Sequence, residues 1–311
     1  MKADPILVWH RRQRRMVPER VQDQGILNIL YGSVPGRWAA NVFFSQRTFS
    51  RLYAVRYRGR RSRRKIAPFI REYGVDMGDF EEKSYASFND FFARRFRPGA
   101  RAFVTEPSLM PAFAEARYLA WETAFPRMSF PVKGGRLTAE TLLGGEDKAA
   151  EFQRGPLLIA RLAPQDYHRV HFVDAGRIVD HYRIEGPLHS VNPIALSSVG
   201  DVLSTNAREV TVQETANFGR VAYVEVGAMT VGRIVQHQSM EAYPRRGDEK
   251  SHFEYGGSTV VVLGQPARWI PDSEILEHTL RGFETFVELG TAVACATARR
   301  PSEEEAGYER E

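Results

Sequence analysis

The sequence predicts an α+β fold: a helical, basic N-terminal region, then a mainly antiparallel β core closed by a C-terminal helix. Three observations point there. Apolar and aromatic residues between positions 25 and 57 recur at helical spacing. From about residue 105, short β-branched runs alternate with Gly, Pro and Asn. Near the end, Pro271-Asp272-Ser273 reads as a helix start.

In chain order, residues 1–24 are polar and basic and read as a disordered terminus. Residues 25–83 then carry Ile26, Leu27, Ile29, Leu30, Tyr31, Trp38, Phe43, Phe44, Phe49, Leu52 and Tyr53 interleaved with Arg37, Arg47, Arg51, Arg56 and Arg58, followed by Arg60-Arg61-Ser62-Arg63-Arg64-Lys65. Two readings are compatible with this segment: helices packed on the body with a solvated basic face, or an amphipathic element lying on anionic lipid. Residues 84–96 read as a short helix with a capping-box-like Ser87-Phe88-Asn89-Asp90 start and Phe88, Phe91, Phe92 and Phe96 on one face, a stripe expected in the core. Pro98-Gly99 ends it.

Strands are predicted at 157–162, 177–184, 209–213, 220–226, 230–236 and 259–263. The final helix is expected to carry Ile275, Leu276, Thr279, Leu280, Phe283, Phe286 and Val287 on one side and to stop at Gly290. The globular body is assigned to residues 84–295, and 296–311 to a charged, disordered tail.

Composition narrows the function classes. Apolar residues make up 43% and charged residues 26%, as in ordinary globular proteins. The single cysteine, Cys295, excludes an internal disulfide or a Cys-pair metal site and suits a reducing compartment. No signal-peptide pattern is present, and no apolar run approaches the roughly 20 residues of a spanning helix. The net charge of +5 is uneven: residues 1–72 hold 17 Lys+Arg against 4 Asp+Glu, and the rest is net acidic. A basic arm on an acidic body suits an anionic partner. A membrane surface ranks above nucleic acid because no nucleic-acid motif accompanies the charge.

Asp166-Tyr167-His168-Arg169-Val170-His171 is the densest titratable group. A metal is disfavoured there, since no third ligand has a recognisable offset and an odd separation on a strand turns two rings to opposite faces. Two half-buried histidines, or a general base and a proton donor, remain open. Glu115 is an acid among small residues. His10, His181, His189, His237, His252 and His278 are scattered. Gly256-Gly257-Ser258-Thr259 followed by Val260-Val261-Val262 is either a turn feeding a buried strand or a bond built to break, with Ser258 attacking the carbonyl before it. A serine hydrolase lacks its Gly-x-Ser-x-Gly elbow.

Together these segments resemble the phosphatidylserine decarboxylases, self-cleaving pyruvoyl enzymes. The resemblance runs from about Ile26 to Gly290. It rests on Phe88-Asn89-Asp90-Phe91-Phe92 with Pro98-Gly99-Ala100-Arg101, on Leu162-Ala163-Pro164-Gln165-Asp166-Tyr167-His168-Arg169-Val170-His171, on Ser190-Val191-Asn192-Pro193, on Gly227-Ala228-Met229-Thr230-Val231-Gly232, and on Gly256-Gly257-Ser258-Thr259, all in family order.

The resemblance implies that His171, oriented by Glu115, takes the Ser258 proton, and that the chain cuts between Gly257 and Ser258. Ser258 then becomes a pyruvoyl group that forms a Schiff base with phosphatidylserine and releases CO2, leaving phosphatidylethanolamine. His168 would bind substrate or protonate the carbanion. No pyridoxal phosphate and no metal are implied. Glu115 stands where the family has Asp, one methylene shorter, and Phe172 replaces the Pro that follows His171 in most members. The implied product is a β chain, 1–257, and an α chain from Ser258, attached peripherally to anionic phospholipid on the cytoplasmic face, with a homodimer as a candidate assembly and no nucleic-acid partner. The alternatives are a pyruvoyl decarboxylase of a soluble amine and an uncleaved, non-catalytic membrane-binding homologue.

Overall fold

The structure is a computed structural model, and it describes residues 6–19, 55–123, 128–129, 136–190, 202–228, 233–256 and 258–297. In chain order its strands are β1 (Leu7–His10), β2 (Arg15–Pro18), β3 (Leu109–Pro111), β4 (Ala116–Trp121), β5 (Met128–Ser129), β6 (Arg136–Leu137), β7 (Leu157–Leu162), β8 (Arg169–His171), β9 (Gly176–Ile184), β10 (Arg208–Thr215), β11 (Arg220–Val226), β12 (Ile234–Gln236), β13 (Glu249–Phe253), β14 (Ser258–Gly264), β15 (Trp269–Pro271), β16 (Glu284–Val287) and β17 (Ala292–Ala296). The described helices are short: α1 (Ile66–Tyr73), α2 (Phe88–Phe92), α3 (Ala139–Leu143), α4 (Glu146–Ala149), α5 (Val202–Thr205) and α6 (Ser273–Leu280).

Nine strands form one sheet in the order β2-β1-β16-β4-β7-β14-β11-β10-β9. Every neighbouring pair is antiparallel except β1 with β16. The centre is β7, β14 and β11. All residues of β7 and β14 are buried, so these strands do not alternate buried with exposed positions, and the one charged side chain on them is Arg161 of β7. A small three-stranded sheet, β12-β13-β8, lies beside them and carries His171.

The predicted strand at 157–162 has the observed bounds of β7, and that at 220–226 those of β11. The run at 259–263 is extended by one residue at each end, so Ser258 is already part of β14. The predicted C-terminal helix is half right. Asp272 caps α6 by accepting from the Glu274 and Ile275 amides, but the helix stops at Leu280. Gly282 then takes a left-handed φ of 79°, and Phe286 and Val287 enter β16 instead. Their alternating burial is a strand pattern that the helical reading absorbed.

The N-terminus corrects a second expectation. Residues 1–24 were read as disordered, yet residues 7–18 form a hairpin on the edge of the main sheet. Part of the charge that suggested disorder, on Arg11 and Arg12, is paired with the acidic body. Arg11 bonds Asp272 at 2.6 Å and Glu274 at 2.6 Å, and the Trp9 indole donates to Glu274 at 2.7 Å. The expected membrane-associating region is described only from residue 55 onward, and the part at 25–54 lies outside the described residues.

Arg117 on β4 and Arg161 on β7 are directly opposite each other, a like-charge pair that would repel if left alone. Glu19, just after β2, bridges them: its carboxylate lies 2.6 Å from Arg117 Nε and 2.7 Å from Arg161 Nη2. Glu284 on β16 also grips Arg161. Burial opposes the charge on Glu19, but the two guanidiniums outweigh it and hold the carboxyl below its ordinary range. Glu19→Ala removes the shared carboxylate and leaves Asp166 on Arg117 and Glu284 on Arg161. It is expected to cost about 2 kcal/mol in denaturant unfolding through the lost charge-assisted hydrogen bonds, whereas Arg12→Ala, at an exposed pair, changes stability by less than about 1 kcal/mol.

Candidate active site

Ser258 opens the central strand β14, opposite Leu162 at the end of β7, and is fully buried. The residues before it are held just as firmly. Tyr255 donates its amide to the Asn89 side chain at 2.7 Å. Its ring stacks on Tyr57 at 4.1 Å and meets the edges of Phe88 and Phe92 at 5.1 Å each. Glu254 pairs with Arg58. Gly256 then adopts φ 146°, a region that side chains disfavour. The chain is clamped by an aromatic cluster on one side and by sheet hydrogen bonds on the other, with Gly257, itself outside the described residues, at the junction.

The aromatic cluster comes from the Phe88-Asn89-Asp90-Phe91-Phe92 segment. Ser87 caps α2 by accepting from the Asp90 amide at 3.1 Å, as the sequence predicts, though the helix is only five residues long. Phe88, Phe91 and Phe92 of the expected stripe are buried, whereas Phe96 is half-buried beyond the helix, bridged to Phe80. Phe92 also shapes the site, stacking on the His168 ring at 3.9 Å. Asn89 and Phe92 were not singled out as site residues from the sequence. Their signal was the motif itself, which places Asn89 between core phenylalanines.

His168 is the histidine that touches Ser258. Its Nδ1 lies 3.1 Å from Ser258 Oγ, and its Nε2 lies 3.0 Å from the Ala163 carbonyl. A carbonyl only accepts, so Nε2 carries the proton and Nδ1 is left to accept from the serine hydroxyl. The loop that aims this ring is closed by Asp166, whose carboxylate accepts from the Ala163 amide at 2.6 Å and pairs with Arg117. Arg94, stacked on Phe80 and Phe91, ties the same loop down through the Gln165 and Asp166 carbonyls.

Burial, with a further push from Arg94, lowers the His168 pKa to about 3, so the ring is neutral at physiological pH. Burial also pushes Asp166 up to about 6 against the pull of Arg117. The arrangement is a neutral imidazole acceptor on a buried hydroxyl, sheltered from water. It can draw off the serine proton as the oxygen attacks a neighbouring carbonyl.

The expected relay from Glu115 through His171 to Ser258 is not the one observed. His171 ends β8, with Nδ1 2.8 Å from the Gly247 carbonyl and Nε2 3.2 Å from the Tyr167 hydroxyl, so both ring nitrogens are engaged away from Ser258. The Glu115 carboxylate is gripped by Arg101 through Nε at 2.6 Å and Nη2 at 2.9 Å, and it also accepts from the Leu289 amide at 3.2 Å. A two-pronged guanidinium is a stronger partner than a neutral imidazole, which is why Glu115 sits where it does. The two histidines share a loop-to-strand segment, not one regular strand, so counting offsets could not decide which would face Ser258. The motif positions 191–193 and 229–232 lie outside the described residues.

A cavity of about 470 Å³ abuts this loop, lined among others by Arg94, Arg101, Glu115, Asp166 and Tyr167. Neither Ser258 nor His168 lines it, so it is a neighbour of the candidate site and not its interior.

The sequence profile of the family described as phosphatidylserine decarboxylase matches residues 88–284. Among similar curated proteins, phosphatidylserine decarboxylase proenzyme 2 of Clostridium acetobutylicum is 37% identical over 288 residues, covering 93% of this chain and 98% of its own length. The proenzyme of Ruminiclostridium cellulolyticum is 34% identical over 297 residues, covering 95% and 99%. That of Clostridium perfringens is 35% identical over 290 residues, covering 93% and 99%.

The depressed His168 pKa has a thermodynamic consequence. Between about 3 and its ordinary value near 6.5, the unfolded chain binds a proton at this position that the folded chain refuses. The stability tied to a neutral His168 is thus fully present above about pH 6.5 and is lost as the pH falls toward 3. Asp166 acts in the opposite sense below about 6. In an uncleavable Ser258→Ala background, lowering the pH from about 7 to about 5 should destabilise the His168-containing chain more steeply than its His168→Gln variant, as read by denaturant midpoints. Equal slopes would mean that His168 is not held neutral by the fold.

Proposed function

The chain belongs to the phosphatidylserine decarboxylase family, and we propose that it is made as a proenzyme that cuts itself between Gly257 and Ser258, with His168 as the group that accepts the serine proton. The observation that carries this reading is the buried 3.1 Å contact between Ser258 Oγ and His168 Nδ1 at the mouth of a rigid strand. The Ser258 oxygen attacks the Gly257 carbonyl carbon, and the peptide nitrogen takes up the proton as the C–N bond gives way to an ester. Loss of the Ser258 Cα proton then expels the Gly257 carboxylate. The dehydroalanine left at position 258 tautomerises to an imine, and water hydrolyses it with release of ammonia.

The residue formed at 258 would be a pyruvoyl group. Its ketone supplies an electron sink for the amine of phosphatidylserine as CO2 departs. The residues present fit that group. Ser258 would begin the α chain, and His168, neutral and covered by Phe92 with Tyr255 behind it, lies at hydrogen-bond distance from the position 258 side chain and could handle a proton there. His171, hydrogen-bonded to Tyr167, is a second neutral donor-acceptor pair on the same loop.

The substrate reading draws support from the charged surface as well. Among the described residues no helix is long and apolar enough to cross a membrane. Instead, Arg56, Arg58, Arg60, Arg61, Arg63 and Arg64 are exposed on one short helical stretch. Buried Ser62 fixes that stretch by bonding the Gly59 and Tyr57 carbonyls and accepting from the Phe88 amide. The basic face and the residues that grip the scissile segment therefore share one cluster. An anionic phospholipid surface held by these arginines would lie beside the site that uses its headgroup.

A competing reading, an uncleaved membrane-binding homologue, is favoured by one observation: all four ring nitrogens of His168 and His171 have partners, and none of these is a carboxylate.

Intact mass analysis decides between them. The expected result is two chains, 1–257 and a blocked 258–311, with Ser258→Ala leaving one chain and His168→Ala slowing cleavage by about a hundredfold or more. A wild-type chain that stays whole after long incubation sinks the enzyme reading; a His168→Ala chain that cleaves at the wild-type rate, while His171→Ala does not, returns the role of base to His171. For the cleaved protein, CO2 release is expected from phosphatidylserine vesicles and not from free serine. Replacing Arg60, Arg61, Arg63 and Arg64 by Ala should reduce flotation with anionic liposomes, and raised salt should do the same to the wild type.

A further inference from the structure

We propose that His237, Glu249 and His252 form a binding site for a divalent transition-metal ion of the zinc or cobalt class, on the outer face of the β12–β13 hairpin. His237 follows β12, and its Nε2 lies 2.9 Å from both His252 Nδ1 and Glu249 Oε1. All three ligand atoms fall within 4.8 Å of one another. Two imidazole nitrogens and one carboxylate oxygen are the donor set that borderline divalent ions take, with a position left for water.

The sequence hides this site. Glu249 and His252 are three apart on β13, which on a regular strand would point them to opposite faces. A bulge between Glu249 and Ser251, seen in the pairing with β8, shifts the parity by one. The inner face shows the same shift: consecutive Lys250 and Ser251 both turn inward to the fully buried Glu225. Glu249 and His252 are therefore left together on the outside, and the hydrogen bond from the His237 amide to the Lys250 carbonyl sets His237 across from them at 2.8 Å.

At hydrogen-bonding geometry, the single proton on His237 Nε2 faces two acceptors at once. A metal ion in place of that proton would bond to all three atoms. Tetrahedral ligands at zinc distances are about 3.3 Å apart, so the two 2.9 Å contacts need open only slightly. His237 presents Nε2 and His252 presents Nδ1 to the cluster. The surroundings set a limit on affinity. Arg169 pairs with Glu249, and Arg95 Nε lies 3.5 Å from its other oxygen, so an incoming cation meets two positive neighbours. They also keep the carboxylate fixed in place. The ion expected is therefore one that gains from imidazole ligands, and not calcium or magnesium.

The test uses the full-length chain, freed of metal, titrated with Co2+ and then with Zn2+ against a chromogenic chelator. One ion per chain is expected, with Co2+ giving the intense visible absorption of a four- or five-coordinate site. His237→Ala and His252→Ala, made separately, should each weaken binding at least about tenfold and abolish that absorption, while His181→Ala leaves both unchanged. A wild-type chain that gives no such absorption, or one whose affinity survives both histidine substitutions, overturns the proposal. His237 is partly exposed, so its variant is expected to fold; if its circular dichroism departs from wild type, the His252→Ala result decides alone.

Discussion

The constraint on which the rest depends is the burial of β14 between β7 and β11. Hydrogen bonds on both edges and apolar neighbours on both faces leave this strand no freedom to slide. Its first residue, Ser258, inherits that fixity. Pairing with β7 and β11 sets the strand's register, with Ser258 opposite Leu162 and Thr259 opposite Val226, and that register fixes the direction in which the Ser258 hydroxyl points. The opposite side of the junction is anchored by different means, through Tyr255 in an aromatic cluster. The Gly257–Ser258 peptide thus lies between two firm holds.

Charge organises what surrounds that strand. Arg117 and Arg161 face each other in the middle of the sheet, and acids drawn from three distant parts of the chain neutralise them: Glu19, Asp166 and Glu284. The same network closes the loop that carries His168. The N-terminal hairpin is thus coupled to the candidate site through Glu19, Arg117 and Asp166, although it contributes no reacting group. Burial then sets the protonation of that site: it keeps His168 neutral, which suits an acceptor of a serine proton and leaves little driving force for holding it. Such a base would serve a proton transfer concerted with attack, as in the self-cleavage proposed above.

Legibility differs from element to element. The central strands were readable because buried strands show as continuous Val, Leu and Ile runs. The α2 cap was readable because Ser87 and Asp90 act within one turn. The N-terminal hairpin was not, because its arginines look solvated until Asp272, Glu274 and Glu288 are brought to them from the other end of the chain. Phe286 and Val287 fitted a helical face by spacing, and only the left-handed turn at Gly282 and pairing with β4 made them a strand.

What the sequence alone determined is the chemistry on offer: a serine after two glycines at the head of an apolar strand, two histidines close by, and an ordered set of motifs that identifies the family. These are local features, and local features survive in a linear reading. What only the tertiary structure decided is which groups meet. His168 rather than His171 reaches Ser258, because the loop closed by Asp166 turns its ring inward. Glu115 goes to Arg101, because a bidentate ion pair outcompetes a neutral imidazole. Glu249 and His252 share a face, because one bulge changes the parity of β13. Each outcome depends on partners far apart in the chain or on a single-residue shift in register, and neither leaves a periodic trace in sequence.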